Sequence, residues 1–182
     1  MLLCLLIAPF AAALLTALGS GRDPKAAQRL SLVLSIAIAV LAIPLVTCLP
    51  SLSTSHPWFT LWGTHATVRF SLASDGLSGW LIQLATVLTP IAILASRDQA
   101  GERMREFAVA ALAMEGLMIG ALLARDLVLF YLFYEAMLIP MVVLIAMFGG
   151  SDRRGASLLF FLYTMFASVF LSLIHISEPT RL

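Results

Sequence analysis

The chain has 182 residues, of which 61% are hydrophobic and only 12% charged, so it is far more apolar than a water-soluble domain. A water-soluble fold has no way to hide so much apolar surface. The formal net charge of +1 excludes the strongly basic surface of a nucleic-acid-binding protein, so no nucleic acid is expected as a partner. The composition predicts an all-α integral membrane protein, with the lipid bilayer as its solvent.

Six apolar runs are each about as long as a helix that crosses the hydrocarbon core of a bilayer, which takes roughly 20 residues. We predict transmembrane spans at residues 1–18, 30–49, 77–95, 107–124, 127–148 and 156–174. The first run has no positive residue before it, so we interpret it as a retained helix rather than a signal peptide.

The longest loop lies between the second and third spans. Residues 59–72 alternate between apolar and polar side chains, with a Gly-Thr pair near the middle. Alternation with a period of two is typical of a strand, and a central glycine is typical of a turn. The sequence therefore predicts a short extracytoplasmic β-hairpin attached to the partial helical bundle.

Lysine and arginine are unevenly distributed among the loops. Eight lie in the first, third and fifth loops, and two lie in the second and fourth. The eight are Arg22, Lys25, Arg29, Arg97, Arg103, Arg105, Arg153 and Arg154, and the two are Arg69 and Arg125. Because such residues are retained on the cytoplasmic side, loops at about residues 19–29, 96–106 and 149–155 are predicted to be cytoplasmic. The charges therefore predict a multi-pass protein with an extracytoplasmic amino terminus, and we expect its membrane to be the bacterial inner (cell) membrane.

The end of the sequence departs from this pattern, because the sixth span runs into Ser-Glu-Pro without a capping glycine or a basic stop. We expect residues 175–182 to be a non-native tail translated from sequencing-adapter read-through. Residues 1–174 would then be an amino-terminal fragment of a longer gene product. A genuine short polar terminus is the alternative.

Two glutamates lie inside apolar runs, Glu115 in the fourth and Glu135 in the fifth. A carboxylate at the centre of a membrane helix costs about 3 kcal/mol on insertion scales, so its default interpretation is functional. The turn between the two spans lies near Arg125 and Asp126, which puts both glutamates about 14 Å from the same membrane face. A carboxyl group removed from water resists ionisation, which suits proton uptake and release. A permanently protonated structural glutamate is the alternative for each.

Two neighbouring features bear on these acids. Pro140 has no amide hydrogen for the carbonyl of Ala136, so it predicts a helix kink that frees an acceptor close to Glu135. This kink either admits water or serves packing alone. Gly116 and Gly120 form a GxxxG motif, for which ordinary helix packing is the expected use.

With these residues in place, the stretch 115–149 resembles the antiporter-like subunits of respiratory complex I. The matching features are the DL turn at 126–127, the YE pair at 134–135 and the MLIPM run at 137–141. Asp75, in the DGLS motif that opens the third span, fits the same family and is also a good helix N-cap. The FFLYT motif at 160–164 adds to the resemblance, which we place over residues 60–171.

The resemblance implies that Glu135 is the channel glutamate of the family's fifth helix, coupled there to a lysine on a broken seventh helix. The only lysine of this sequence is Lys25, in a loop, so the chain would hold part of one half-channel and could not pump alone. The implied partners are the other membrane-arm subunits of complex I, the lipid bilayer and protons. The candidate proton-handling residues are therefore Glu135 and Glu115, with Pro140 at the helix kink.

No cofactor or metal site is predicted on this chain. There is no GxGxxG motif for a dinucleotide, and two cysteines are too few for an iron-sulfur cluster. NADH and quinone chemistry would belong to other subunits of the enzyme.

Three alternatives to a proton-translocating complex I subunit stay open. They are a subunit of a multisubunit sodium/proton antiporter, a subunit of a membrane-bound hydrogenase, and a structural module that conducts nothing.

Overall fold

A computed structural model describes the backbone of residues 1–19, 21, 23–47, 52–60 and 67–177. Side chains are described for the same residues except those of 45–69, 169 and 171–177. The elements in chain order are α1 (Leu2–Gly19), α2 (Pro24–Thr47), β1 (Leu52–Thr60), β2 (Thr67–Ser74), α3 (Gly76–Ala95), α4 (Arg97–Ala100), a 3₁₀ turn (Gly101–Arg103), α5 (Met104–Leu123), α6 (Leu127–Phe148) and α7 (Arg153–Ser177).

The helices have the lengths and hydropathy of membrane spans. Within the described residues, five helical segments are long and apolar enough to cross a bilayer: Leu2–Gly19, Pro24–Pro44, Gly76–Ala95, Arg97–Leu123 and Leu127–Phe148. The sixth predicted span, 156–174, lies within α7, whose last side chains are outside the described part. The predicted helical membrane architecture is confirmed, and the chain is a multi-pass membrane protein.

α5 is the centre of the bundle and packs against α1, α2, α3 and α6, while α7 packs against the other side of α6. The apolar α5 residues Leu112, Ile119 and Leu123 are fully buried. α7 shows the opposite of a soluble amphipathic helix, because Ser157 and Ser168 are buried while large apolar side chains are exposed. An apolar outer face suits a helix whose solvent is lipid.

The predicted helix ends are right for the fifth span and less so for others. Residues 127–148 match α6, which begins at the N-cap Asp126. α2 begins at Pro24 rather than at residue 30, because proline is well suited to the first turn of a helix. Residues 96–106, predicted as a loop, are largely helical: α4 ends where Gly101 takes a positive φ of 51°, and α5 starts at Met104.

The predicted hairpin is confirmed as an antiparallel pair of β1 and β2, although β1 starts at Leu52 rather than at residue 59. Its tip, 61–66, lies outside the described residues. The hairpin contacts the α5–α6 turn, where the Arg125 amide donates to the Ser71 carbonyl at 2.9 Å. At the start of α3, Asp75 is an N-cap, and the backbone hydrogen bond from Ser78 lowers the pKa of its carboxyl group.

Connecting segments are joined by hydrogen bonds in two places. The hairpin and the α5–α6 turn are joined at one end of the bundle. On the α1–α2 connection, the Gly21 carbonyl accepts a hydrogen bond from Arg105 at 3.1 Å, which joins the first loop to the start of α5. The predicted boundary at 174–175 lies inside α7, and residues 178–182 are outside the described part.

The two glycines of the GxxxG motif serve close packing, but with two different neighbours. A Cβ atom on Gly116 would lie 2.9 Å from the ring of Phe10 on α1. A Cβ atom on Gly120 would lie 2.6 Å from the ring of Phe133 on α6. The motif therefore lets α5 approach α1 and α6, which confirms its predicted packing use.

We expect Gly120→Ala to destabilise the bundle by about 1–3 kcal/mol, because the added methyl group overlaps the Phe133 ring. Thermal unfolding of the purified chain in detergent measures this. Gly76→Ala is the matched control, since nothing lies within 4 Å of a Cβ atom at that position. Equal melting temperatures for the two variants would contradict the proposed contact, and Phe133→Leu should partly restore the stability of Gly120→Ala.

Candidate functional site

The two intramembrane carboxyl groups lie on adjacent helices at equal depth. Glu115 is eight residues before Leu123, the last residue of α5, and Glu135 is eight residues after Leu127, the first residue of α6. At 1.5 Å per residue, each is about 12 Å along its helix from the turn that joins them. α5 and α6 pack together along this stretch. The predicted common depth agrees with these helix bounds.

Glu115 lies in the packed interior of the bundle. It is only 2% exposed, and neither of its carboxyl oxygens has a hydrogen-bond partner among the described residues. Gln83 and Glu106 each leave one buried side-chain oxygen without a partner, whereas Glu115 leaves both. An ionised carboxylate without a donor in an apolar interior is very costly, so the arrangement suits a neutral carboxyl group.

The buried hydroxyl groups described on α1, α2 and α3 do not donate to Glu115, because each donates to a carbonyl of its own helix. Thr16 donates to Ala12 at 2.8 Å on α1. Ser31, Ser35 and Thr86 make the same kind of bond on α2 and α3. This pattern is usual for serine and threonine within helices. Each of these hydroxyl groups has a local acceptor, and none of them donates to Glu115.

Glu135 has a partner on a different helix. It is half-buried on α6, and its Oε1 accepts a hydrogen bond from the hydroxyl of Ser168 on α7. Ser168 is itself only 5% exposed. Sequence reasoning missed Ser168, since a serine 33 residues from Glu135 in an apolar helix carries no motif of its own. The signal available was its position, because Ser157, Thr164 and Ser168 recur on one face of α7.

Pro140 lies five residues beyond Glu135 and is buried, and α6 continues through it to Phe148. Because proline has no amide hydrogen, the carbonyl of Ala136 loses its helical donor at this point. The freed acceptor is therefore one residue from Glu135, inside the bundle. Whether water reaches it stays a prediction.

The structure brings Glu135 together with Ser168 and does not join the two carboxyl groups by a hydrogen bond within its described residues. In the same part of the chain, no group of three histidine, cysteine, aspartate or glutamate side chains could hold a metal ion. The arrangement can bind a proton. The carboxyl group of Glu115 is buried with no donor among the described residues, and that of Glu135 has a hydroxyl donor beside it.

Comparisons with known proteins point to the same helices. The family model described as "NADH:quinone oxidoreductase/Mrp antiporter, TM" matches residues 124–177. This range holds Glu135, Pro140 and Ser168 and begins after Glu115. The predicted resemblance to antiporter-like subunits is confirmed. The match also extends past residue 171, where the predicted resemblance ends.

Individual relatives are similar to this chain over more of its length. NADH-quinone oxidoreductase subunit M of Rhodobacter capsulatus is 37% identical over 162 residues, which are 87% of this chain and 31% of that protein. The subunit M of Rickettsia felis is 43% identical over 117 residues, 63% of this chain and 24% of that protein. NADH-ubiquinone oxidoreductase chain 4 of Mycosarcoma maydis is 33% identical over 177 residues, 95% of this chain and 37% of that protein.

The chain thus spans between 24% and 37% of the length of these three relatives. The likeness is also wider than the predicted 60–171, since the Mycosarcoma maydis alignment takes in 95% of the chain. Residues before the hairpin gave no motif, because α1 and α2 are built from common apolar residues.

We expect Glu115→Met to leave the stability of the bundle unchanged or to raise it. The substitution removes a buried polar group that has no hydrogen bond to the described part of the chain, and it keeps a similar volume. Thermal unfolding in detergent measures the change. Ile119→Ala on the same helix shows that the assay responds to core changes, because removing this fully buried side chain should cost about 2–5 kcal/mol. A loss for Glu115→Met as large as that for Ile119→Ala would reveal a partner for the carboxyl group.

Proposed function

We propose that this chain forms part of a proton-translocating membrane subunit of an NADH:quinone oxidoreductase. The observation that carries the proposal is the pair of intramembrane carboxyl groups, Glu115 and Glu135, at equal depth on two packed helices. Charged groups at this depth are costly and are kept in membrane proteins chiefly for ion or proton pathways. The named relatives are subunits of NADH-quinone or NADH-ubiquinone oxidoreductases, which supports this enzyme class.

The two glutamates have different roles in this proposal. Glu135 binds and releases the proton, because a half-buried carboxyl group with a hydroxyl donor beside it can be accommodated in either charge state. Glu115 modulates it from the neighbouring helix. Two interacting carboxyl groups bind protons as a pair, so the charge state of one affects the other. The buried Pro140 leaves a free carbonyl acceptor near Glu135 for a bound proton or water.

Redox chemistry is assigned to other subunits of the same enzyme. The chain carries no GxGxxG motif and has two cysteines, so NADH oxidation and quinone reduction would take place elsewhere in the assembly. Its partners in this proposal are the other membrane-arm subunits, the surrounding lipid and the translocated protons. It takes part in the enzyme as a proton-handling subunit without a cofactor of its own.

A second candidate is a subunit of a multisubunit sodium/proton antiporter. The description of the matching family names the Mrp antiporter beside the oxidoreductase, and that observation favours this alternative. The two candidates differ in what drives transport. Proton movement that follows NADH oxidation supports the oxidoreductase, while proton movement that follows an imposed sodium gradient without NADH supports the antiporter.

Glu135→Gln, introduced into the full-length subunit assembled with its partners, tests the proposal. Glutamine keeps the shape of the side chain and removes its titration, so proton pumping coupled to NADH oxidation should fall to background while assembly survives. Glu115→Gln should cause a milder loss. Pumping is followed with a pH-sensitive dye in closed membrane vesicles.

Glu102→Gln is the matched control for these variants. It makes the same chemical change at an exposed position between α4 and α5 and should pump as the unsubstituted enzyme does. Near-normal pumping by Glu135→Gln in well-assembled complexes would refute the assignment. Glu135 would then be a structural hydrogen-bonding group.

We also propose that the chain lies in the bacterial inner membrane with its amino terminus extracytoplasmic. Two variants in a background without native cysteines test this orientation: Ser151→Cys in the α6–α7 connection and Arg125→Cys in the α5–α6 turn, both at exposed positions. A membrane-impermeant thiol reagent added to intact cells should label the second and not the first, because basic loops stay inside. The reverse pattern would mean that the orientation is inverted.

A further inference from the structure

The hydroxyl group of Ser168 lies between two acceptors on different helices. One is Oε1 of Glu135 on α6, and the other is the carbonyl oxygen of Met165 on its own helix, at 3.0 Å. A serine hydroxyl has one hydrogen to donate and can also accept. It therefore donates fully to only one of these oxygens at a time.

We propose that Ser168 is a positioning residue whose hydrogen bond changes partner when Glu135 gains or loses its proton. When Glu135 is ionised, Ser168 donates to the carboxylate. When Glu135 is protonated, its O–H donates to the Ser168 oxygen, and the Ser168 O–H turns to the Met165 carbonyl. No covalent bond changes apart from the O–H bond of Glu135 itself. The proposal rests on the proposed role of Glu135.

The change of hydrogen-bond partner by Ser168 costs α7 little free energy. The Met165 carbonyl lies inside a helix, so it keeps an amide donor four residues further along when Ser168 turns away. The carboxylate gains a charge-assisted hydrogen bond, which is about twice as strong as one between neutral groups. Because Ser168 is buried, water does not readily replace it as the donor.

Two other hydroxyl groups on α7, both among its described side chains, make bonds of the local kind. Thr164 donates to the Phe160 carbonyl at 2.7 Å, and Ser157 donates to the Arg154 carbonyl at 3.0 Å. Neither bond reaches a carboxyl group. Ser157 is as buried as Ser168, so it provides a matched control for removing a hydroxyl from this helix.

The test uses the enzyme assembled with the full-length subunit and makes two measurements on each variant. Infrared difference spectra record the C=O stretch of protonated carboxyl groups, and Glu135→Gln identifies the band of Glu135 by removing it. Ser168→Ala should move that band to higher frequency, because a carboxyl group that loses its hydrogen bond has a stiffer C=O bond. The same variant should reduce pumping about tenfold, as expected for the loss of a hydrogen bond to a charged group. Ser168→Thr should restore both, and Ser157→Ala should change neither.

The outcomes separate this inference from the proposed function. If Glu135→Gln abolishes pumping while Ser168→Ala leaves both pumping and the band unchanged, the role of Ser168 is overturned and that of Glu135 stands. Lost pumping in Ser168→Ala with an unmoved band would show a merely structural serine and would also overturn it. If Glu135→Gln pumps normally, the proposed function fails. Should Ser168→Thr not assemble, the comparison of Ser168→Ala with Ser157→Ala decides alone.

Discussion

Inside a lipid bilayer there is no water to satisfy a polar group, so each one has to find its partner within the protein. Most of this bundle meets that requirement locally. Backbone groups bond within helices, and buried hydroxyls such as Thr16 and Ser35 donate to carbonyls three or four residues earlier. Such bonds join no two helices. The close packing of α5 on its neighbours depends instead on small residues, among them Gly116 and Gly120, which leave room for aromatic rings.

The carboxyl groups are where this local solution fails, because a glutamate side chain has no hydrogen to spare when ionised and two oxygens to satisfy. No donor among the described side chains reaches Glu115, whereas a hydroxyl group on another helix donates to Glu135. The packing of α5 between α1 and α6 therefore does more than bury apolar surface. It fixes the two acids at one depth while giving them unlike surroundings.

Much of this arrangement could be predicted from the sequence, because membrane helices are recognisable by their length and hydropathy. The bounds of α6 follow from an aspartate N-cap at one end and glycines at the other, and the alternation of residues 59–72 predicts a hairpin. The start of α5 was harder to place. Residues 97–106 are mostly polar and look like a loop. They form a short helix, a 3₁₀ turn and the first residues of α5, and α4 ends at Gly101. Polarity reports exposure and not backbone conformation.

The site was predictable only in part, for a related reason. A charged residue inside an apolar run is visible in the sequence, so both glutamates and Pro140 could be singled out. Their partners could not, because the distance between Glu135 and Ser168 depends on how α7 turns back along α6 after the Gly149–Gly150 connection. The equal depth of the two glutamates could be predicted, because it depends only on the turn at Asp126 and on the rise of a helix. The rotation of each helix about its axis, which decides what an acid faces, is set by packing.

That rotation also separates what each acid can do. A group that exchanges protons has to be tolerable in both charge states, and this requires a neighbour that can donate to the charged form and accept from the neutral one. A hydroxyl group does both without moving its oxygen. Ser168 supplies such a neighbour to Glu135, whereas the described surroundings of Glu115 supply none. Those surroundings suit only the neutral form of Glu115. The proposed division of roles between the two glutamates therefore rests on the neighbours that helix packing gives each one.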